Sequence, residues 1–282
     1  MSDNPLLKLF GRTASLTVLT GAGCSTGSGL PEYRDRNGDW KHARPVMHQD
    51  FVNSPQVRRR YWARSTLGWP RFAAAQPNRA HTALAELQLS GRVGCIITQN
   101  VDGLHQKAGS SQVIDLHGRL SDVVCLSCGN LTSRDQLQTS LTRLNPGLTA
   151  EEAVPKPDGD MAIDPELEQG FGLVECELCG GTLKPDVVFF GDNVPKPRVA
   201  EAMSHLTTSD GLLIVGSSLM VYSGYRFVRA AKAQGLPIAI VNAGKTRADA
   251  EVDLKLDAPC EPTLAAYLDA VCGGQNTAQH NA

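Results

Sequence analysis

Short apolar runs alternate with amphipathic stretches along the chain, and this alternation is typical of a parallel α/β sheet. Most of the runs are apolar at nearly every position, as expected of strands that helices cover on both faces. The predicted strands are residues 16–20, 93–98, 113–116, 187–190, 212–215 and 237–241. Helical periodicity predicts helices over residues 80–89 and 225–234, which Gly91 and Gly235 would end.

Two segments interrupt this alternation. Residues 44–77 contain a predicted helix that Ser54 and Pro55 would begin, since serine is a good N-cap and proline fits the first turn. Residues 145–170 are rich in proline, glycine and acidic residues and predict a long surface loop. We therefore predict a Rossmann-like parallel sheet domain made of residues 1–43, 78–120 and 182–282, with an inserted smaller module, a zinc ribbon plus a helical part, made of residues 44–77 and 121–181.

Composition narrows the class of protein. A chain of 282 residues can bury the core of one large domain, or of one domain with a small module. The net charge of −2 supplies no general attraction to nucleic acid or to an anionic membrane, and no apolar run reaches the ~18 residues of a membrane span. The N-terminal residues lack the features of an export signal, so we expect a cytoplasmic protein without nucleic-acid or membrane partners. The oligomeric state is left open.

Two Cys-x-x-Cys pairs, Cys125 with Cys128 and Cys176 with Cys179, are each followed by glycine. Four thiolates at this spacing predict a closed tetrahedral Zn²⁺ site that keeps no position open for catalysis. The alternative is two independent redox or disulfide pairs, which a reducing compartment disfavours. Zinc of this kind is structural and does not identify a reaction.

A glycine-rich loop, residues 21–29, follows the first predicted strand. Glycines at such a turn let the backbone approach a pyrophosphate closely, although a glycine-rich turn by itself is as often structural. An ordinary dinucleotide-binding fold also carries an acidic residue that binds a ribose hydroxyl. The plausible ribose-binding strand end here, residues 240–244, has the neutral Asn242 instead. This argues against a hydride-transferring dehydrogenase.

Further motifs follow in a fixed order, and together with the cysteine pairs they resemble the sirtuin family over roughly residues 15–270. They lie at residues 30–35, 98–105, 116–118, 184–192, 216–219 and 241–244. Residues 60–64, 68–70 and 76–81 resemble the class II branch of that family. The resemblance implies an enzyme that consumes NAD⁺ as a co-substrate to remove acyl groups from protein lysines. Its products would be free lysine, nicotinamide and O-acyl-ADP-ribose, and its structural metal one Zn²⁺.

The resemblance also implies roles for single residues. Asn100 and Asp102 would hold the nicotinamide, and His117 would be the general base, since the ordinary imidazole pKa of ~6.5 suits that task. Each has a simpler alternative: His117 could end a strand, and Asp102 could cap the next helix. The expected NAD contacts are Gly21, Ala22, Gly23, Ser25, Tyr33, Arg34, Gln99, Asn100, Val101, Asp102, Gly216, Ser217, Ser218, Asn242, Ala243, Gly244 and Cys260.

For the acyl-lysine substrate, the resemblance places Val188 and Phe189 along the channel and leaves the backbone of Gly191 free to pair with an extended peptide. Tyr61 and Arg64 lie three residues apart on the predicted helix and therefore share a face. Sirtuins that prefer succinyl or glutaryl chains use such a pair to hold the terminal carboxylate. The alternative is that Arg64 is a solvated surface charge and Tyr61 packs in the core.

Other functions remain open at this point. An ADP-ribosyltransferase or a lipoamidase would share the scaffold and the first chemical step, although His117 favours deacylation. A non-catalytic zinc-ribbon binding module is a third possibility, which the near-neutral charge and the complete motif set disfavour. His81 and His105 are expected to be structural.

Overall fold

The computed structural model describes residues 3–11, 14–41, 45–148 and 168–273 of the chain. The helices there are α1 (Pro5–Phe10), α2 (His48–Asn53), α3 (Pro55–Ala74), α4 (Arg79–Leu89), α5 (Leu104–Lys107), α6 (Arg134–Leu144), α7 (Lys196–Thr207), α8 (Tyr222–Ala233) and α9 (Cys260–Cys272). The strands are β1 (Leu16–Thr20), β2 (Val93–Thr98), β3 (Val113–Asp115), β4 (Gly118–Cys125), β5 (Leu131–Ser133), β6 (Leu183–Val187), β7 (Gly211–Val215), β8 (Ile238–Val241) and β9 (Leu254–Leu256). None of these helices combines the length and the apolar character needed to cross a membrane.

Six parallel strands form the larger sheet, in the spatial order β3-β2-β1-β7-β8-β9. The chain starts at the centre with β1, builds outward to β3 and then returns to the other side of β1 with β7, as in doubly wound nucleotide-binding folds. Thr20, the last residue of β1, is in register with Thr98 of β2 and Val215 of β7. The loops after these three strands therefore leave the sheet at one edge. The predicted Rossmann-like parallel sheet is confirmed.

Helices cover both faces of this sheet. On one face α1, α4 and α9 contribute Leu6, Leu84 and Tyr267 to an apolar cluster, and on the other face α7 and α8 contribute Leu206 and Phe227. Every residue of β1 and β7 is buried. Burial on both faces explains why these strands are apolar without alternation.

The smaller sheet is antiparallel, in the order β5-β4-β6. It packs with α2, α3 and α6 around a separate apolar cluster that includes Trp62 and Trp69 of α3. The buried guanidinium of Arg134 lies 5.4 Å and 5.1 Å from the ring centroids of these two tryptophans and donates to Ser65. Burial lowers the pKa of Arg134 to about 10, and the two ring faces offset part of the desolvation cost. The helix α3 begins as predicted, because the Ser54 side chain accepts from the backbone N–H of Val57.

The structure differs from the sequence prediction at one strand. The predicted strand 187–190 is wrong, because pairing with β4 ends at Val187 and β6 runs back to Leu183. The apolar run misled the prediction, because the strand that pairs with β4 contains the polar residues Lys184 and Asp186, whereas most of the apolar run lies beyond the pairing. Beyond it, Phe190 makes only an isolated bridge to Met47.

Other boundaries shift by smaller amounts. The helix predicted over residues 225–234 begins about one turn earlier, at Tyr222, and ends at Ala233. The predicted domain boundary at residue 120 falls inside β4, so the division into two units stays a prediction. Residues 149–167, most of the predicted surface loop, lie outside the described residues.

A close contact between two loops sits at the central edge of the larger sheet. A Cβ on Gly216 would lie 2.2 Å from the backbone nitrogen of Cys24, and one on Gly21 would lie 2.8 Å from the carbonyl oxygen of Gly216. Gly216 also has φ +63°, in the left-handed region. These glycines therefore allow the loop after β1 to pack directly against the loop after β7.

We predict that Gly216→Ala lowers the free energy of unfolding by about 2–4 kcal/mol, because the methyl group adds overlap to left-handed strain. The matched control is Gly91→Ala, with φ +75° and no atom within 4 Å of the added Cβ. It should cost only about 1 kcal/mol. Urea unfolding followed by circular dichroism measures both losses, and equal losses would contradict the packing argument.

Candidate active site

A cavity of about 490 Å³ opens at the edge of the larger sheet where β1, β2, β7 and β8 end. Most residues expected from the sequence to contact NAD line it together. They are Gly21, Ala22, Gly23, Ser25, Tyr33, Arg34, Gln99, Asn100, Val101, Asp102, Gly216, Ser217, Ser218, Asn242 and Ala243. His117, Tyr61, Val188, Phe189 and Gly191 line the same cavity.

Three residues predicted to contact NAD or the acyl chain do not line this cavity. Gly244 has φ +99°, and a Cβ there would lie 2.5 Å from the carbonyl oxygen of Arg36, so glycine is required for backbone packing. Cys260 is buried beneath the site, where burial raises the pKa of its thiol to about 12. Arg64 forms an ion pair away from the cavity wall.

Asn100 and Asp102 belong to one hydrogen-bond network with the glycine loop. The side-chain amide of Asn100 donates to the carbonyl oxygen of Gly21 at 3.1 Å and to the Ser25 hydroxyl at 3.0 Å. Ser25 donates in turn to Asp102 at 2.7 Å. Burial raises the pKa of Asp102, and the hydrogen bonds that it accepts from the backbone N–H of Leu104 and from the Ser25 hydroxyl partly oppose this shift. The network holds both side chains in the cavity wall before any ligand binds.

Asp102 also has the simpler role that the sequence suggested. Its Oδ1 accepts from the backbone N–H of Leu104 at 2.9 Å, at the start of α5. Because its other oxygen accepts from Ser25, the carboxylate both caps α5 and faces the cavity. The two interpretations are compatible.

His117 is held at both ring nitrogens. Nδ1 lies 2.9 Å from the carbonyl oxygen of Gln99, which can only accept, so Nδ1 carries the proton. Nε2 of the neutral ring is then the acceptor, and the Ser223 hydroxyl donates to it at 2.9 Å. Burial lowers the pKa of His117 to about 4, so the imidazole is neutral near pH 7 with its lone pair on Nε2. This is the protonation state that a general base requires.

Ser223 was missed by sequence reasoning. It lies in the first turn of α8, and 106 positions separate it from His117, so no local pattern connects the two. The helix start reaches His117 because Gly224 packs against the Gln99 side chain, where a Cβ would come within 2.6 Å of Nε2 of Gln99. The available signal was the position of this serine, four residues after the predicted motif at residues 216–219.

His81 and His105 lie together behind the glycine loop. Both are buried, with ring centroids 4.8 Å apart, and burial lowers the pKa of each. His105 bonds to the Thr20 hydroxyl at 2.9 Å, and His81 bonds to Asn78 at the start of α4. Neither lines the cavity, in agreement with a structural role.

An aromatic cluster closes one side of the cavity. Tyr33, Trp40 and Phe190 form edge-to-face contacts with centroid distances of 5.4–6.3 Å. The Arg34 guanidinium lies 4.2 Å from the Trp40 ring centroid and donates to the carbonyl oxygen of Gly38. The loop that carries Tyr33 and Arg34 is therefore anchored to the chain after β6.

A second aromatic group forms the apolar end of the cavity. Phe189 lies 5.3 Å from Tyr61 and 5.2 Å from Phe51, measured between ring centroids. Arg64, three residues after Tyr61, binds Glu168 through Nε at 2.6 Å and Nη2 at 2.5 Å. The structure thus brings Tyr61 to the cavity and leaves Arg64 neutralised outside it.

The four predicted zinc ligands meet in one cluster. Their sulfur atoms all lie within 4.8 Å of one another, with 3.5 Å between Cys125 and Cys179 and 3.8 Å between Cys128 and Cys176. A tetrahedral zinc with Zn–S bonds of ~2.3 Å places its sulfurs ~3.8 Å apart, so the cluster fits this ion. The backbone N–H of Cys128 lowers the pKa of the Cys125 thiol to about 6, whereas the Cys128 side chain raises the pKa of Cys179 to about 12, so these hydrogen bonds favour the thiolate at Cys125.

Glycines complete the two cysteine turns as predicted. Gly129 has φ +73° and donates to the carbonyl oxygen of Cys125, and Gly180 has φ +69° and donates to that of Cys176. The close sulfur contacts join a cysteine of one pair to a cysteine of the other, Cys125 to Cys179 and Cys128 to Cys176, which disfavours two independent redox pairs. The arrangement is a closed structural zinc site.

The sheet order, the glycine loop and the four-cysteine site define a zinc-binding protein with a Rossmann-like nucleotide-binding fold. A family model described as the Sir2 family matches residues 21–223. The chain belongs to the Sir2 family, the sirtuins.

Relatives and solved structures agree with this membership. The chain is 53% identical to "NAD-dependent protein deacetylase 2" of Bradyrhizobium diazoefficiens, over 95% of this chain and 98% of the relative. It is also 53% identical to "NAD-dependent protein deacetylase" of Xanthomonas axonopodis pv. citri, over 90% of this chain and 87% of the relative.

Two Sir2 structures show the same fold. One is a complex with a p53 peptide and NAD⁺, 28% identical with a TM-score of 0.76, covering 97% of this chain and 99% of that chain. The other holds a deacetylated p53 peptide and 3'-O-acetyl-ADP-ribose, 28% identical with a TM-score of 0.76, covering 96% of this chain and 98% of that chain.

We predict that Cys125→Ser releases zinc and lowers the melting temperature by about 10 °C, because a structural zinc contributes folding free energy directly. Metal analysis of the purified protein and differential scanning calorimetry measure the two effects. The control is Cys272→Ser, which changes an exposed cysteine outside the cluster and should leave both unchanged. Wild-type protein that folds without zinc would contradict the prediction.

Proposed function

We propose that this chain is an NAD-dependent protein-lysine deacylase, acting as a deacetylase, that yields free lysine, nicotinamide and O-acyl-ADP-ribose. The main support is the neutral His117, whose Nε2 lone pair lies in the wall of the same cavity as the glycine loop and the apolar group around Phe189. The names of the bacterial relatives support the same reaction and its dependence on NAD.

The proposed NAD contacts divide between the loops after four strands. Residues 21–23 offer backbone close to the pyrophosphate, and Ser217 with Asn242 offers polar groups to the adenosine ribose. Asn100 and Asp102 hold the nicotinamide carboxamide. Their orientation is set in advance by Ser25, so little ordering is needed when the dinucleotide binds.

His117 acts as the proposed general base. The Gln99 carbonyl holds the proton on Nδ1, and Nε2 therefore takes the proton that a ribose hydroxyl releases. With a pKa of about 4, the ring is already unprotonated at neutral pH. The Ser223 hydroxyl aims the ring by occupying Nε2 until the substrate arrives.

The acyl-lysine side chain is proposed to lie along Val188, Phe189 and Tyr61, which form an apolar wall of the cavity. The backbone around Gly191 pairs with an extended substrate peptide. The proposed substrates are therefore acylated-lysine proteins. The class II assignment and the cytoplasmic location stay predictions.

The preferred acyl chain depends on whether Arg64 is available. Its Nε and Nη2 both bind Oε1 of Glu168, so a terminal carboxylate would have to displace Glu168 first. This geometry favours an uncharged chain such as acetyl over an acidic chain at that end of the cavity. The acidic-chain hypothesis from the sequence stays a prediction.

A panel of acyl-lysine peptides with NAD⁺ tests the reaction, with nicotinamide release and peptide mass recorded together. Loss of the acyl group together with formation of O-acyl-ADP-ribose supports deacylation. A peptide mass increased by ADP-ribose, or cleavage of lipoyl-lysine alone, would instead support the transferase or lipoamidase alternatives.

We predict that His117→Ala lowers kcat for deacetylation by about 10²–10⁴-fold, the usual contribution of a general base. NAD binding measured by calorimetry should persist, because His117 acts in the chemical step. The control is His205→Ala, a partly buried histidine of α7 outside the cavity. Activity retained by His117→Ala would remove this residue from the mechanism.

For Ser223→Ala, we predict a smaller fall in kcat, about two- to tenfold, the size expected when one hydrogen bond of ~0.5–1.5 kcal/mol is lost. Gln99 still holds Nδ1 in this variant, so the base remains present but less well aimed. Ser223→Thr keeps a hydroxyl and should retain most of the activity. Steady-state kinetics at saturating NAD⁺ measure the effect, and wild-type rates for Ser223→Ala would show that the contact is incidental.

A further inference from the structure

Arg226 is a cation in the cavity wall that has no ion-pair partner in the part of the chain that the structure describes. It lies on α8, one turn after Tyr222, and both side chains line the cavity. Its Nε is buried without a hydrogen-bond partner, and no ion pair joins it to any described residue. Its guanidinium carbon lies 5.3 Å from the centroid of the Tyr222 ring. A partly buried guanidinium in this state attracts an anion.

The other charged side chains of the same wall already have partners within the described part of the chain. Two of them form ion pairs, Glu32 with Lys41 and Asp192 with His48. Asp102 accepts a hydrogen bond from Ser25, and Arg34 donates one to the carbonyl oxygen of Gly38. Asp35 accepts from the backbone N–H groups of Asn37 and Asp39. Among the charged residues of this wall, the lack of a partner is therefore specific to Arg226.

We propose that Arg226 and Tyr222 form a subsite for a carboxylate carried by the acyl-lysine substrate, and that its source is an acidic side chain close to the modified lysine. This inference rests on the proposed function. Ser223, in the same turn, contacts Nε2 of His117, so this turn of α8 flanks the reacting end of the cavity. The acyl-lysine must reach that end, and the residues beside it in the substrate then pass close to α8.

The exposure of Tyr222 favours an acidic side chain of the substrate, and not the acyl chain, as the source of the carboxylate. Tyr222 is 52% exposed although it lines the cavity, which places its side of the pair at the mouth, where a substrate peptide would approach. The apolar group around Phe189 and Tyr61, by contrast, is buried. A guanidinium fork together with a phenol hydroxyl offers several donors to the two oxygens of one carboxylate.

The experiment compares acetyl-lysine peptides that carry Asp or Glu near the lysine with matched peptides that carry Asn or Gln. A glutaryl-lysine peptide with neutral neighbours forms the third arm. We expect wild-type enzyme to favour the acidic peptides by about tenfold in kcat/KM, the size expected of one charge-assisted hydrogen bond at a partly exposed site. Arg226→Gln should remove this preference, and Arg226→Lys should keep part of it.

Two controls distinguish a specific subsite from a general effect of positive charge and from an effect on catalytic turnover. Arg229→Gln changes an exposed arginine on the same helix and should keep the preference. The dissociation constants of the same peptides, measured by fluorescence polarisation without NAD⁺, should show the same dependence on Arg226. Added salt should reduce this dependence on Arg226, because it screens the charges.

Each outcome decides the proposal. A preference for glutaryl-lysine that disappears in Arg226→Gln would support the subsite and assign the carboxylate to the acyl chain. An equal loss of kcat/KM on all peptides, or a rise only in the KM for NAD⁺, would overturn it. Failure of wild-type enzyme to turn over any acyl peptide would overturn the proposed function instead, and the binding measurements would still decide the subsite.

Discussion

The contact between the loops after β1 and β7 is the constraint on which the site depends. Residues 21–23 and Gly216 approach so closely that a single methyl group on Gly216 would overlap the backbone of Cys24. This contact lies where the strand order of the larger sheet changes direction, the usual ligand position of doubly wound sheets. Every polar group of the proposed NAD site is then positioned relative to this pair of loops.

A continuous hydrogen-bond network extends from this contact to the proposed base. Ser217 donates to the side-chain oxygen of Gln99 at 2.6 Å, and the backbone carbonyl oxygen of Gln99 accepts from Nδ1 of His117. On the other side of the ring, Ser223 donates to Nε2 from the start of α8. The low pKa of His117 follows from burial, so the same packing that fixes the ring also keeps it neutral. Packing around the His117 ring therefore accounts for both its position and its protonation state.

The smaller sheet completes the cavity. The four-cysteine site joins the turn after β4 to the turn before β6, two segments far apart in the chain. β6 leads from the turn that carries Cys176 and Cys179 directly to Val188 and Phe189, so one strand connects the zinc site to the proposed acyl end of the cavity. Glu168 neutralises Arg64 nearby, whereas Arg226 keeps its charge available. The cavity wall is therefore apolar around Phe189 and Tyr61, and it carries the charged side chain of Arg226 on α8.

The sequence by itself determined the parallel sheet and the zinc ligands, because apolar runs and cysteine spacing are local patterns. Ordered motifs also identified residues such as Asn100 and His117 that meet in the cavity. Only the tertiary structure decided the β6 register, the partner of Arg64 and the contact of Ser223 with His117. The contacts of Arg64 and Ser223 join residues 104 and 106 positions apart, and the β6 register depends on which sheet the strand enters. Such contacts arise from packing of the whole chain, which no local pattern encodes.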